Sequence, residues 1–244
     1  MFLQTPAPTG NTNSEAMKQM GFANLAENFD ALGWIVFVVL VVLSLLSWYF
    51  IIANTIRNFV VSSRANKVID AFWGNPSTQD AIRELEAQPK GEPFSKIALD
   101  AAAAVAHHQQ AVAENNGLAQ SLSRSEFLDR ALRQAVARET LRMETGLTLL
   151  ATVGSAAVYV GLLGTVWGIY HALIRIAATG NASMSAVAGP VGEALIMTAI
   201  GLFTAIPAVF AFNAFNRSNR VIFARFDEFA HDLHDFFATG SRVK

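Results

Sequence analysis

Three stretches of this chain contain no Asp, Glu, Lys or Arg: Ala31–Ile56, Thr145–Ile174 and Ala194–Asn216. Each exceeds the roughly 20 apolar residues that carry a helix across a hydrocarbon core. A soluble domain of 244 residues has no interior large enough to hide three such helices. In lipid, a spanning segment must satisfy its backbone polar groups internally, which selects the helix. The chain is therefore expected to be an all-α integral membrane protein with three transmembrane helices, the second and third extending into a helical cytoplasmic domain. Composition agrees, with 52% hydrophobic and only 15% charged residues. A net charge of −1 offers no footprint for nucleic acid. The absence of cysteine removes disulfide and thiol chemistry.

Lysine and arginine placement orients the spans. Arg57, Arg64 and Lys67 follow the first span, Arg130, Arg133, Arg138 and Arg142 precede the second, and Arg217, Arg220 and Arg225 follow the third. The opposite side has only Lys18 and Arg175. The expected order is a periplasmic tail over 1–30, the first span over 31–56 and a cytoplasmic domain over 57–144. The second span over 145–174, a periplasmic loop over 175–193, the third span over 194–216 and a cytoplasmic C-terminal helix over 217–244 complete it. Residues 1–10 have neither the basic start nor the apolar centre of a secretory signal. Phe22, Leu25, Phe29 and Leu32 recur at helical spacing and predict a short amphipathic helix over 14–30 at the membrane surface.

The 57–144 segment is punctuated by turn and cap signals. Gly74-Asn75-Pro76 ends one helix, Ser77 caps the next, and Pro89 to Pro93 ends that one. Ser123 and Glu126 have the spacing of a capping box. No breaker is evident between Glu126 and Tyr159, so one uninterrupted helix is expected from 126 to 175, about 75 Å long. Ile222, Phe226, Phe229, Leu233 and Phe236 form an apolar stripe. That stripe is expected to pack on the first long helix or on a neighbouring subunit.

No phosphate-binding glycine loop, Gly-x-Ser-x-Gly elbow or His-Glu-x-x-His motif occurs, so neither an ATP site nor an enzyme active site is expected, and no cofactor. His231 and His234 lie one turn apart; a polar helix face accounts for them, because no third metal ligand is evident. His171 sits near the outer end of the second span. It reads as an interfacial polar residue, with a part in ion entry as the alternative.

Gly154, Gly161, Gly164 and Gly168 share one face of the second span with Ala157 and Ala172. Ala194, Thr198, Gly201, Ala205 and Ala208 make a matching stripe on the third. Small residues let helix backbones approach closely in lipid. The two faces either meet each other or line a space filled by something else. Helix rise puts Thr165 about 10 Å below Ala172, and Thr198 about 9 Å below Gly192. Two hydroxyls at one level suggest a shared polar lining, although each can instead bond its own helix. Glu193 would mark the outer mouth. Deep in the spans there is no titratable carboxylate or amine. A proton path through this chain would need an acid from a partner, and the small faces would then surround the partner's helix.

VGLLGTVWGIYHALI and AVAGPVGEALIMTAIGLFTAIPAVFAFN resemble the MotA/TolQ/ExbB proton-channel family, its ExbB branch most of all, and FDEFAHDLH fits that branch too. The strong resemblance covers about Thr152 to Asn216; residues 1–125 match in layout only. The chain departs from the pattern at Val158, where many relatives carry proline. The resemblance implies a homopentamer in the bacterial inner membrane around the transmembrane helices of ExbD, whose intramembrane aspartate carries the proton. It also implies engagement of TonB, so that proton flow powers import of siderophores and vitamin B12 across the outer membrane. A TolQ-type subunit of the Tol-Pal envelope system is the alternative. The family's pore-facing threonines fall on Thr165 and Thr198, its glutamate on Glu193 and its third-span proline on Pro207. Gly161, Gly164, Gly168 and Gly201 are the expected helix-packing positions.

Overall fold

The computed structural model describes residues 30–75, 77–89, 91–113, 123–180 and 184–239. The predicted surface helix over 14–30 lies outside these residues, apart from Asp30. Among the described residues there are six helices and no strand: α1 Ala31–Gly74, α2 Thr78–Glu86, α3 Pro93–Ala113, α4 Arg124–Met143, α5 Leu147–Thr179 and α6 Met184–Thr239. Three helical stretches, within Ala31–Gly74, Arg124–Thr179 and Pro190–Ala238, are long and apolar enough to cross a membrane.

The described chain divides into two compact units. The first combines the residues up to Tyr49 with Leu149–Phe210, and so holds parts of α1, α5 and α6. Its interior is made of small and medium side chains, among them Val36, Ala157, Ala172, Ala194, Ala205 and Ala208. Its exterior is apolar and bulky: Leu45 is 67% exposed, Tyr159 70%, Phe203 72% and Phe210 73%. That arrangement inverts the distribution water imposes. In lipid, large apolar groups gain nothing by leaving the surface, and close backbone packing takes over.

The second unit, Phe50–Thr148 with Ala211 onward, has the opposite character. Val61, Ala65, Val68 and Phe72 of α1, Phe94 and Ile97 of α3, Leu128 and Leu132 of α4, and Ile222, Phe226, Phe229 and Leu233 of α6 form one buried cluster. Each large member contributes about 1.5–3 kcal/mol of transfer free energy. The α6 phenylalanine stripe is used within the chain: Phe226 meets Phe94 at 4.9 Å between ring centroids, and Phe229 and Phe236 each meet Phe72 at 6.0 Å. Edge-to-face geometry at these distances suits the ring quadrupoles.

The predicted caps form. The Ser77 side chain accepts the Gln79 N–H at the start of α2. Ser123 and Glu126 make both bonds of a capping box at the start of α4.

The single helix expected over 126–175 is interrupted. Helix α4 ends at Met143, and α5 begins at Leu147. Gly146 between them has φ +86°, a left-handed conformation that costs other residues about 1–2 kcal/mol. The carbonyls freed at the break are capped from elsewhere in the second unit. Arg57 donates to the carbonyls of Arg142 at 2.9 Å and Met143 at 2.6 Å, and Asn219 Nδ2 donates to Met143 at 3.2 Å. A cation at a helix C-terminus also meets the negative end of its dipole. The third span differs from expectation at its start as well, because α6 begins at Met184, ahead of Pro190.

Glu92 precedes Pro93, and its Oε2 accepts the Ser95 N–H at 2.5 Å, closing the first turn of α3. The residue is only 4% exposed. Burial pushes its carboxyl above the usual range, the bonds to Ser95 and Phe94 oppose this, and the Glu139 charge adds to it. Between the ordinary and the raised value the folded state holds more protons than the unfolded one. Stability therefore falls as pH rises through that window. Glu92→Gln is expected to remove this slope and to raise the melting temperature of the detergent-solubilised protein at pH 7. A steeper loss of stability with rising pH in the variant would contradict the assignment.

Candidate functional site

The predicted site residues fall in the first unit, on the facing stripes of α5 and α6. The glycines bring the two backbones together. A Cβ added at Gly161 would lie 2.8 Å from the Met197 carbonyl oxygen and 3.2 Å from the Cα atoms of Gly201 and Thr198. One added at Gly201 would lie 2.6 Å from the Ala157 oxygen, and one at Gly168 would lie 2.8 Å from Ala194 Cβ. At Gly164 it would meet Met197 Cβ at 3.0 Å and Val36 Cγ1 at 3.1 Å, so α1 joins the same contact. The small faces therefore meet each other. At Gly161 and Gly201 the contact is backbone on backbone, and at Gly164 and Gly168 it is made by the side chains of Met197, Val36 and Ala194.

The two threonines do come together. Thr165 is 5% exposed, and its hydroxyl donates to the Leu162 carbonyl at 2.7 Å. Thr198 Oγ1 donates to Thr165 Oγ1 at 3.3 Å. Thr165 thus bonds its own helix and also accepts from Thr198. The hydroxyls form a short chain in which each oxygen can accept one proton and give up another. Neither is an acid or base at ordinary pH. Thr204, also on α6, is buried at 4% exposure; its spacing from Thr198 gave no reason to single it out. Pro207 lies inside α6 and leaves the Phe203 carbonyl without its helical donor.

Toward the other end of the same stripes, a small cavity is lined by residues of all three helical segments, including Glu193 of α6 and His171 and Arg175 of α5. Asp30, just before α1, also lines it, and Asp30 Oδ2 lies 3.2 Å from His171 Nε2. No local signal in the sequence tied Asp30 to His171. The cytoplasm-assigned histidines His231 and His234 are elsewhere, in the second unit. His234 Nε2 lies 2.9 Å from Ser125 Oγ, and both rings approach Asp235.

The profile of the MotA/TolQ/ExbB proton channel family matches residues 99–228. A biopolymer transport protein ExbB from Xanthomonas campestris pv. campestris is 59% identical over 249 aligned positions, covering 100% of this chain and 98% of the relative. The chain belongs to the MotA/TolQ/ExbB proton channel family. An ExbB of Neisseria meningitidis is 39% identical, covering 82% of this chain and 89% of its own. A Tol-Pal system protein TolQ from Pseudomonas aeruginosa is 34% identical, covering 86% of this chain and 91% of its own. Within the family, the likeness to ExbB is thus the greater, and it extends through the N-terminal residues that the family profile does not reach. With three membrane-length apolar helices, this member is a multi-pass membrane protein.

Proposed function

We propose that the chain is the proton-channel and motor subunit of a TonB-ExbB-ExbD energy-transducing complex. It couples the proton motive force of the bacterial inner membrane to TonB-dependent import of siderophores and vitamin B12. In this reading the N-terminus is periplasmic and the C-terminus cytoplasmic, with spans over 31–56, 145–174 and 194–216. Five copies enclose the transmembrane helices of ExbD, which supplies the intramembrane aspartate, and TonB receives the work. Thr165, Thr198 and Glu193 lie on the proton path. The subunit catalyses no covalent reaction.

The observation that carries this reading is the hydroxyl pair: Thr198 donating to a buried Thr165 at 3.3 Å, in spans that contain no Asp, Glu, Lys or Arg. A polar relay with no acid of its own is half of a proton path. The greater likeness to ExbB than to TolQ supports the choice of system.

Thr198→Val keeps the volume and removes the donor. The complex is expected to assemble at normal levels, while proton flux falls about a hundred-fold or more, the low side of what a positioned proton-transfer group contributes. Growth on chelated iron is expected to fall with it. Wild-type flux and growth at normal complex levels would refute the role. Co-purification with ExbD rather than TolR decides between the two systems.

A further inference from the structure

The family reading leaves open how a proton reaches the hydroxyl pair. We propose that His171 and Asp30 form a proton-loading pair at the periplasmic entrance of a water-holding cavity inside each subunit, which delivers to Thr165 and Thr198. This inference rests on the proton-channel reading and on the orientation proposed with it.

The histidine geometry is specific. His171 Nδ1 lies 3.2 Å from the Trp167 carbonyl oxygen. A carbonyl only accepts, so Nδ1 carries the hydrogen and donates it. The lone pair of the neutral ring is then on Nε2, and Nε2 is the atom that faces Asp30 Oδ2 at 3.2 Å. The backbone thus fixes the tautomer, and the remaining lone pair points at a carboxylate. One proton serves the pair, as imidazolium with carboxylate or as imidazole with carboxylic acid.

The cavity gives the proton somewhere to go. Its volume is about 50 Å³, several times the roughly 10–15 Å³ that one water requires. Its charged and titratable lining is Asp30 from before α1, His171 and Arg175 from α5, and Glu193 from α6. At its other end it is lined by Gly164 and Met197, the residues immediately before Thr165 and Thr198. Trp167 also lines it, and its buried indole N–H has no hydrogen-bond partner among the described residues. A buried donor left unpaired is costly, and a water or hydroxide in the cavity would accept it. In transfer, a proton from bulk water binds the Nε2 lone pair. Its release to a cavity water regenerates the neutral ring, with no other bond changed.

The test is proton flux through the assembled complex, with its acid-bearing partner, in proteoliposomes with controlled pH on the periplasmic face. His171→Gln and Asp30→Asn are each expected to lower flux about a hundred-fold or more and to flatten its dependence on that pH. The double variant is expected to be no worse than either single one. Wild-type flux and pH profile in both variants, in vesicles where Thr198→Val blocks flux, would overturn the loading pair and leave the channel reading standing. Undiminished flux in Thr198→Val as well would overturn the channel reading itself. A second measurement does not depend on flux. In a complex whose other four histidines, His107, His108, His231 and His234, are Gln, the ¹⁵N spectrum of His171 reports its tautomer. Nδ1 protonated throughout, with Nε2 gaining and losing the proton, is the expected result. A neutral ring protonated on Nε2 would overturn the proposal.

Discussion

Gly201→Val is expected to separate α5 from α6 and to lower the thermal stability of the purified protein more than any other single change on this face. The new Cβ would sit 2.6 Å from the Ala157 carbonyl oxygen and 3.2 Å from Gly161 Cα. Both obstacles are backbone, so no rotamer change relieves them. Overpacking a tight core costs about 1–3 kcal/mol, and valine, with two further methyls, belongs at or beyond the upper end. The separation would also draw Thr198 away from Thr165, since Thr198 Cα already lies 3.2 Å from a Cβ built on Gly161. Loss of proton flux should therefore accompany loss of stability. Gly192 is the control: among the described residues nothing lies within 4 Å of a Cβ placed there, so Gly192→Ala should melt like the wild type. Equal melting temperatures for Gly201→Val and Gly192→Ala would refute the close-packed interface.

Gly146→Val is the second large effect, and it acts in the other unit. The backbone at Gly146 has φ +86°, which costs a residue with a side chain about 1–2 kcal/mol. A Cβ there would also lie 2.6 Å from Phe50 Cε1 and 2.9 Å from Phe50 Cγ. Adding the conformational and overpacking costs gives about 2–5 kcal/mol. Gly146→Asn, which tolerates the left-handed region better, should cost less than Gly146→Val. Shrinking the obstacle in Gly146→Val/Phe50→Ala should recover part of the loss but not the backbone share. Thermal melts of the three variants in detergent separate the two contributions. A Gly146→Val protein as stable as the wild type would mean that the chain runs helically through this position.

Much of this fold was legible because the signals were local. A charge-free run declares a span, and Ser123 three residues before Glu126 declares a cap. The stripe from Ile222 to Phe236 declared a buried face, although its partners Phe72 and Phe94 could be named only from the structure. Gly146 was missed because a single glycine beside an apolar run resembles the packing glycines further along the same span. Nothing local distinguishes a left-handed φ from a close contact. The meeting of Thr165 with Thr198 was accessible, since equal depth on two small faces follows from helix rise. What those faces touch was not, because the same small residues suit a neighbouring helix of the chain or of another subunit. The Asp30–His171 pair was invisible for a different reason: its partners are remote in sequence, and each had an adequate local explanation.

The backbone-to-backbone seam between α5 and α6 also fixes which errors this protein survives. In an ordinary oily interior, harm comes from subtraction, when a truncated side chain leaves an empty space. At Gly161, Gly168 and Gly201 nothing smaller exists, so every missense change is an enlargement, and even the mildest one, to alanine, places an atom 2.8 Å or less from a neighbour. A census of tolerated variants should find these codons nearly silent while Phe203 and Phe210 drift freely among other greasy residues.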